Sequence, residues 1–253
     1  MRLIDTHCHL NDVRAFPEPA EAIEEALEFG VDRLVVVGIN TEWSRIAVEL
    51  ADQFSGVYAV VGWHPTSVNE IDDQALKEIE SLAHHPKVVA IGEIGFDFYW
   101  DKTTPEQQER ALLAQLDLAE TLNKPVVFHC REAYPALLDV LERRKSTGWL
   151  LHCFAGDELD AERALKLDCY FGVDGPVTYK KADDLRENLS KIGLNRLLIE
   201  TDAPWLTPEP FRGKRNRPSY VRFVNEALAH LFNVPVEESA EITTQNAEKF
   251  FGL

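Results

Sequence analysis

The chain contains only four cysteines in 253 residues, none of them arranged as a CxxC pair. Three of these follow a histidine (Cys8, Cys130, Cys153) and Cys169 sits in an apolar run, so they read as small buried hydrophobes. A disulfide framework and a cysteine zinc module are thereby excluded, and reduced thiols fit a cytoplasmic protein. Long hydrophobic runs are missing too. No stretch is long enough to span a bilayer, and Asp5, His7 and His9 interrupt the first apolar run, which leaves no signal-peptide core. Basic residues are scarce: 26 Lys and Arg face 43 Asp and Glu, a formal net charge of -17. Generic electrostatic binding to nucleic acid is excluded, because it depends on cations that neutralise phosphates. A nucleic-acid substrate would need local compensation. Internal repeats and low-complexity segments are absent, and nothing in the sequence calls for an obligate protein partner.

Apolar residues make up 45% of the chain, enough for a substantial core. Short Val/Ile/Leu-rich runs recur, each followed by a longer segment of helical periodicity, the pattern of repeated β-α units. Eight runs can be counted: Arg2–His7, Arg33–Ile39, Val57–His64, Val88–Ile94, Pro125–His129, Gly148–Phe154, Cys169–Val173 and Arg196–Asp202. Eight parallel strands predict closure into a single-domain (β/α)8 TIM barrel over residues 1–253. Thr104-Pro105-Glu106-Gln107 predicts a helix start, with an N-cap Thr, Pro at the first helical position and a capping-box Gln. Gly30 closes a helix over Ala20–Phe29, Thr207–Pro218 reads as a loop on the barrel mouth, and Pro218 and Pro235 open the last two helices.

His7-Cys8-His9, His129-Cys130 and His152-Cys153 each end an apolar run. Side chains alternate along a strand, so His7 and His9 share a face while each Cys points away from the histidine before it. In an α/β barrel, residues ending different strands meet at one mouth. The strand-end histidines, with Glu93 and Asp202, therefore suit one or two divalent ions at the C-terminal ends of the strands. Glu93 has two oxygens with which to bridge two cations, and Asp202 can take a proton from a water that a divalent ion acidifies. Glu200 lies one layer deeper on the Asp202 face and can orient a ligand or a water. His64 is placed to touch the metal or donate to a substrate oxyanion. Arg212, Lys214, Arg215 and Arg217, just after the Asp202 strand, are the densest basic cluster and the expected phosphate-binding element. His84, His85 and His230 fall on helical segments away from the strand ends and are expected at the surface.

Taken together, Ile4-Asp5-Thr6-His7-Cys8-His9, Gly62-Trp63-His64-Pro65, Gly92-Glu93-Ile94-Gly95-Phe96-Asp97, His129-Cys130-Arg131, His152-Cys153-Phe154, Glu200-Thr201-Asp202-Ala203-Pro204 and Arg212-Gly213-Lys214-Arg215-Asn216 resemble the motifs of TatD-type metal-dependent deoxyribonucleases over essentially the whole chain. The resemblance implies that His7, His9, Glu93 and Asp202 hold one metal, with Glu93 bridging to a second held by His129 and His152. It implies hydrolysis of DNA phosphodiesters, often from an end, and short or single-stranded DNA as partner. Two positions depart from the pattern. Arg217 stands where many relatives carry an acidic residue, and Ala155 where a small hydroxyl residue is common. The same architecture hydrolyses carboxyl esters and amides, so removal of a D-amino acid from tRNA is the rival activity; a non-catalytic binding barrel is a further alternative. Imidazole and carboxylate donors are compatible with zinc, manganese, nickel or iron, and with magnesium, which suits histidine less well.

Overall fold

In the computed structural model, residues 2–253 are described. Eight strands alternate with helices: β1 (Leu3–Cys8), β2 (Val31–Val37), β3 (Val57–Val61), β4 (Val88–Asp97), β5 (Val126–Arg131), β6 (Trp149–Leu151), β7 (Tyr170–Val173) and β8 (Leu197–Ile199). The principal helices are α1 (Pro19–Glu28), α2 (Thr41–Gln53), α3 (Asp73–Ala83), α4 (Pro105–Leu122), α5 (Tyr134–Leu141), α6 (Glu158–Lys166), α7 (Asp183–Ile192), α8 (Val221–Phe232) and α9 (Val236–Phe251). The strands pair in parallel in sequence order. A parallel bridge between Cys8 and Ala203 brings the two edges together. The result is the eight-stranded α/β barrel that the sequence predicts.

Alternation along the strands builds two apolar layers. Val35, Val37, Val60, Val127, Leu150 and Leu198 fill the barrel, and Phe250 and Phe251 of α9 pack against this inner layer. Their neighbours Leu34, Val36, Val61, Phe128, Leu151 and Ile199 face outward into the layer shared with the helices. Such strands read as continuous hydrophobic runs because both faces are buried. Thr104 and Gln107 form the expected capping box at the start of α4. Pro218 opens a short 3-10 turn (Pro218–Tyr220) leading into α8, and Pro235 is the N-cap of α9. No helix among the described residues is long and apolar enough to cross a membrane.

Two strands break the alternation where it matters. The β1–β2 register shifts between Asp5 and Cys8, and the β4–β5 register shifts between Gly92 and Ile94. Each shift places an extra residue in the strand. Ile4 and Ala90 belong to the inner layer, and His7 and Glu93, each three residues further on, turn inward as well. A bulge re-aims a side chain in this way.

Candidate metal centre

Above the apolar floor, polar side chains from six strands converge. His7 Nε2 and His9 Nε2 lie 3.2 Å apart. Glu93 stands between two sets of imidazoles. Its Oε2 is 3.5 Å from His7 Nε2 and 3.9 Å from His9 Nε2. Its Oε1 is 2.8 Å from His129 Nδ1 and 3.6 Å from both His152 Nε2 and His64 Nε2. Asp202 Oδ1 is 3.3 Å from His9 Nε2. Three overlapping groups have ligand atoms within 4.8 Å of one another: His7, Glu93 and His152; His7, His9 and Asp202; His64, Glu93 and His129. The structure thus brings together all six residues read from the sequence as ligands, and His64 with them.

Hydrogen bonds behind the rings fix their orientation. His9 Nδ1 lies 2.9 Å from the Val37 carbonyl, and His152 Nδ1 lies 2.8 Å from Glu200 Oε1. Each contact engages Nδ1 as the donor and leaves Nε2 facing the interior. Glu200 also accepts from the Cys153 N–H, and it fits because Gly172 of β7 has no side chain: a Cβ there would lie 2.5 Å from both carboxylate oxygens. Asp5 accepts from the backbone N–H and hydroxyl of Thr201, tying β1 to the segment that carries Asp202. Asn216 donates to the carbonyls of Thr201 and Trp205 and so anchors the following loop. His64 Nδ1 accepts from the Thr66 N–H, which leaves the ring proton on Nε2, towards Glu93.

Charge balance follows from these contacts. Burial opposes ionisation of Glu93, but His64, His152, His129 and His7 outweigh it and hold its carboxyl well below the usual range. Burial likewise opposes the Asp202 charge, and His9 and His152 overcome it. Burial also works against a charged His152, yet Glu200 and Glu93 push it up to about 10. His64, held down by burial and by neighbouring His129, falls to about 3. Ionised carboxylates and imidazole nitrogens therefore crowd one buried point. A divalent cation is the partner that such a donor set fits.

Several participants were not read from the sequence. β4 extends beyond Ile94 to Asp97, whose Oδ2 lies 2.9 Å from His129 Nε2. Gly95 permits this length, since a Cβ there would meet the His129 carbonyl at 2.0 Å. α4 clamps two strand ends through buried carboxamides: Gln108 bonds the N–H and carbonyl of Asp97, and Gln115 those of Trp63, next to His64. Cys8 and Cys130 point into the outer layer as expected. Cys153 does not follow the expected alternation. β6 ends at Leu151, Cys153 adopts φ +45, and its thiol turns towards Asp174.

The basic loop is arranged differently from the expectation. The Arg212 guanidinium stacks 4.2 Å from the Tyr179 ring, Lys214 Nζ lies 5.4 Å from that of Phe211, and Arg215 donates to the Ala15 carbonyl. None of these three lines the cavity above the clustered imidazoles and carboxylates. That cavity, about 260 Å³, is instead bordered by Lys102 and Arg131, with Trp100 and Trp205 at its rim. Of the two departures from the family pattern, Arg217 pairs with Glu25, and the Ala155 N–H donates to the Tyr134 hydroxyl. His84 and His230 are exposed and His85 half-buried, away from this site.

Comparison with known proteins gives a consistent picture. A family model described as TatD related DNase matches residues 4–252. The chain is 41% identical over 253 residues to the "Uncharacterized metal-dependent hydrolase YabD" of Bacillus subtilis, covering 99% of each. It is 34% identical over 259 residues to the "3'-5' ssDNA/RNA exonuclease TatD" of Escherichia coli, again covering 99% of each. The crystal structure of YjjV, a TatD homolog from Escherichia coli, superposes with a TM-score of 0.94 at 32% identity, over 100% of this chain and 98% of that one.

Proposed function

The chain belongs to the TatD related DNase family of metal-dependent hydrolases, and from that premise we propose that it hydrolyses phosphodiester bonds at an end of single-stranded DNA, using two divalent ions. The observation that carries the reading is the position of Glu93, with one oxygen towards His7 and His9 and the other towards His129 and His152. His7, His9, Glu93 and Asp202 would hold one ion; Glu93, His129 and His152 would hold the second. When bound, the ions supply Lewis-acid polarisation of the phosphate and acidify the attacking water.

The chain's own groups do the rest. Asp202, ionised and 14% exposed at the cavity, accepts the proton of the attacking water. His64 stays neutral and presents its Nε2–H to the oxyanion. Glu200 holds the His152 ring in place from behind. Lys102 and Arg131 at the cavity offset the formal charge of -17 where substrate phosphates would enter. Wild-type enzyme stripped of metal and resupplied with magnesium, manganese or zinc should shorten end-labelled single-stranded DNA, and Glu93→Ala and Asp202→Ala should not. If wild type is inactive with every ion, DNA is the wrong substrate, and carboxyl esters including D-aminoacyl-tRNA become the test.

A further inference from the structure

Two indoles stand half-exposed at the mouth of a charged cavity. Trp100 is 49% and Trp205 47% exposed, and both line the cavity that holds Glu93 and Asp202. Trp205 follows β8 and its ring lies 5.1 Å from that of His9, just past the end of β1. Trp100 follows β4, with Arg131 at the end of β5 5.8 Å from its ring. In a ring of eight strands these two seams face each other across the mouth. The backbone at each tryptophan is anchored to the site itself. The Trp100 backbone N–H donates to Asp97 Oδ1, whose other oxygen meets His129. The Trp205 backbone N–H donates to the Asp202 carbonyl, and the Trp205 carbonyl accepts from Asn216.

The cations lie on one side only. The Arg131 guanidinium sits 3.7 Å from the Tyr99 ring centroid and 5.8 Å from that of Trp100, and Lys102 Nζ is 5.9 Å from the Trp100 ring. An aromatic face beside a cation is the element that grips a nucleotide without reading its identity: the base stacks and the phosphate is neutralised. We propose that Trp205 and Trp100 are base-stacking platforms on opposite sides of the scissile phosphodiester. Trp205 takes the terminal base; Trp100, with Arg131 and Lys102, takes the next nucleotide of the strand and its phosphate. Bases stacked and paired inside a duplex cannot reach either platform, so selectivity for single strands follows from the rim. The inference rests on the DNA reading above but concerns the rim residues, not the metal donors.

The test compares a thymidine decamer with one whose two terminal nucleotides are abasic, using metal-loaded enzyme. In wild type the abasic strand should show a KM on the order of tenfold higher, as expected for loss of stacking. In Trp205→Ala and Trp100→Ala that ratio should collapse towards one, and Trp205→Phe and Trp100→Phe should restore most of it. A phosphorothioate-linked decamer should quench tryptophan fluorescence, and its abasic counterpart should not. Cleavage with equal KM on both strands overturns the stacking proposal and leaves the nuclease reading intact. Base-dependent quenching without cleavage overturns the nuclease reading and keeps the platforms. Neither cleavage nor quenching overturns both.

Discussion

The two ends of the barrel interior are made by the same strands and differ in almost every physical respect. At the floor, Ile4, Val35, Leu150 and Leu198 pack with Phe250 and Phe251, and apolar burial is the dominant contribution. At the mouth, three residues further along β1 and β4, His7 and Glu93 are as deeply buried but carry polar groups whose desolvation is unfavourable. One end stabilises the fold. The other holds charge in a place that only a cation, or mutual imidazole–carboxylate contact, makes tolerable. The separation is set by two register shifts, so a change of a single residue's length in a strand divides structure from chemistry.

Substitutions at the two ends should therefore fail in opposite ways. The largest effect is expected from Asp202→Asn, which should lower turnover on single-stranded DNA about a thousandfold while the apparent melting temperature of the metal-free protein barely moves. A comparable loss of stability would erase the contrast. Leu150→Ala at the floor should cost about 2–5 kcal/mol, read from urea denaturation, with turnover per folded molecule preserved.

Between these lies an effect of pH. With His152 pushed up to about 10 in the folded protein, against an ordinary value of 6.5, its charged form contributes stability that is fully present below pH 6.5 and lost as pH rises through about 10. Ion binding needs the neutral ring, so metal uptake at pH 8 should expel a proton and tighten as pH rises. Titration calorimetry in two buffers of different ionisation heat checks this, and a buffer-independent heat would sink it. The smallest effect belongs to the outer surface. Arg163 pairs with the exposed Asp139 and Glu142, and Arg163→Ala should change stability by about 0–1 kcal/mol and leave turnover unaltered.

Much of this was legible in the sequence because apolar runs and strand-end histidines follow local rules. Val35, Val60 and Leu198 alternate with outward neighbours as a period of two requires, and the ligand candidates sit at run ends. What escaped depends on events that no periodicity records. The extra residues in β1 and β4 lie among Asp5, Thr6 and Gly92, where the hydrophobic pattern is already interrupted, so neither the bulges nor the reach of β4 to Asp97 could be seen. Cys153 departs from alternation because its backbone turns left-handed. The basic loop follows Asp202 in the chain, yet Asn216 and Arg215 fasten it to Thr201 and Ala15, and the cations at the cavity come from β5 and the loop after β4. Nearness in sequence was a poor guide there.

The Cys8–Ala203 bridge has a consequence beyond topology. β1 and β2 pair at four positions, whereas the edges of the sheet share one bridge, with the His9 N–H bonded to the Ala203 carbonyl, the Asp202 N–H to that of His7, and Thr201 donating to Asp5. The seam of the ring thus runs through the same residues that would hold an ion. Such an ion would be a clasp across that seam, with His7 and His9 on one side and Asp202 on the other.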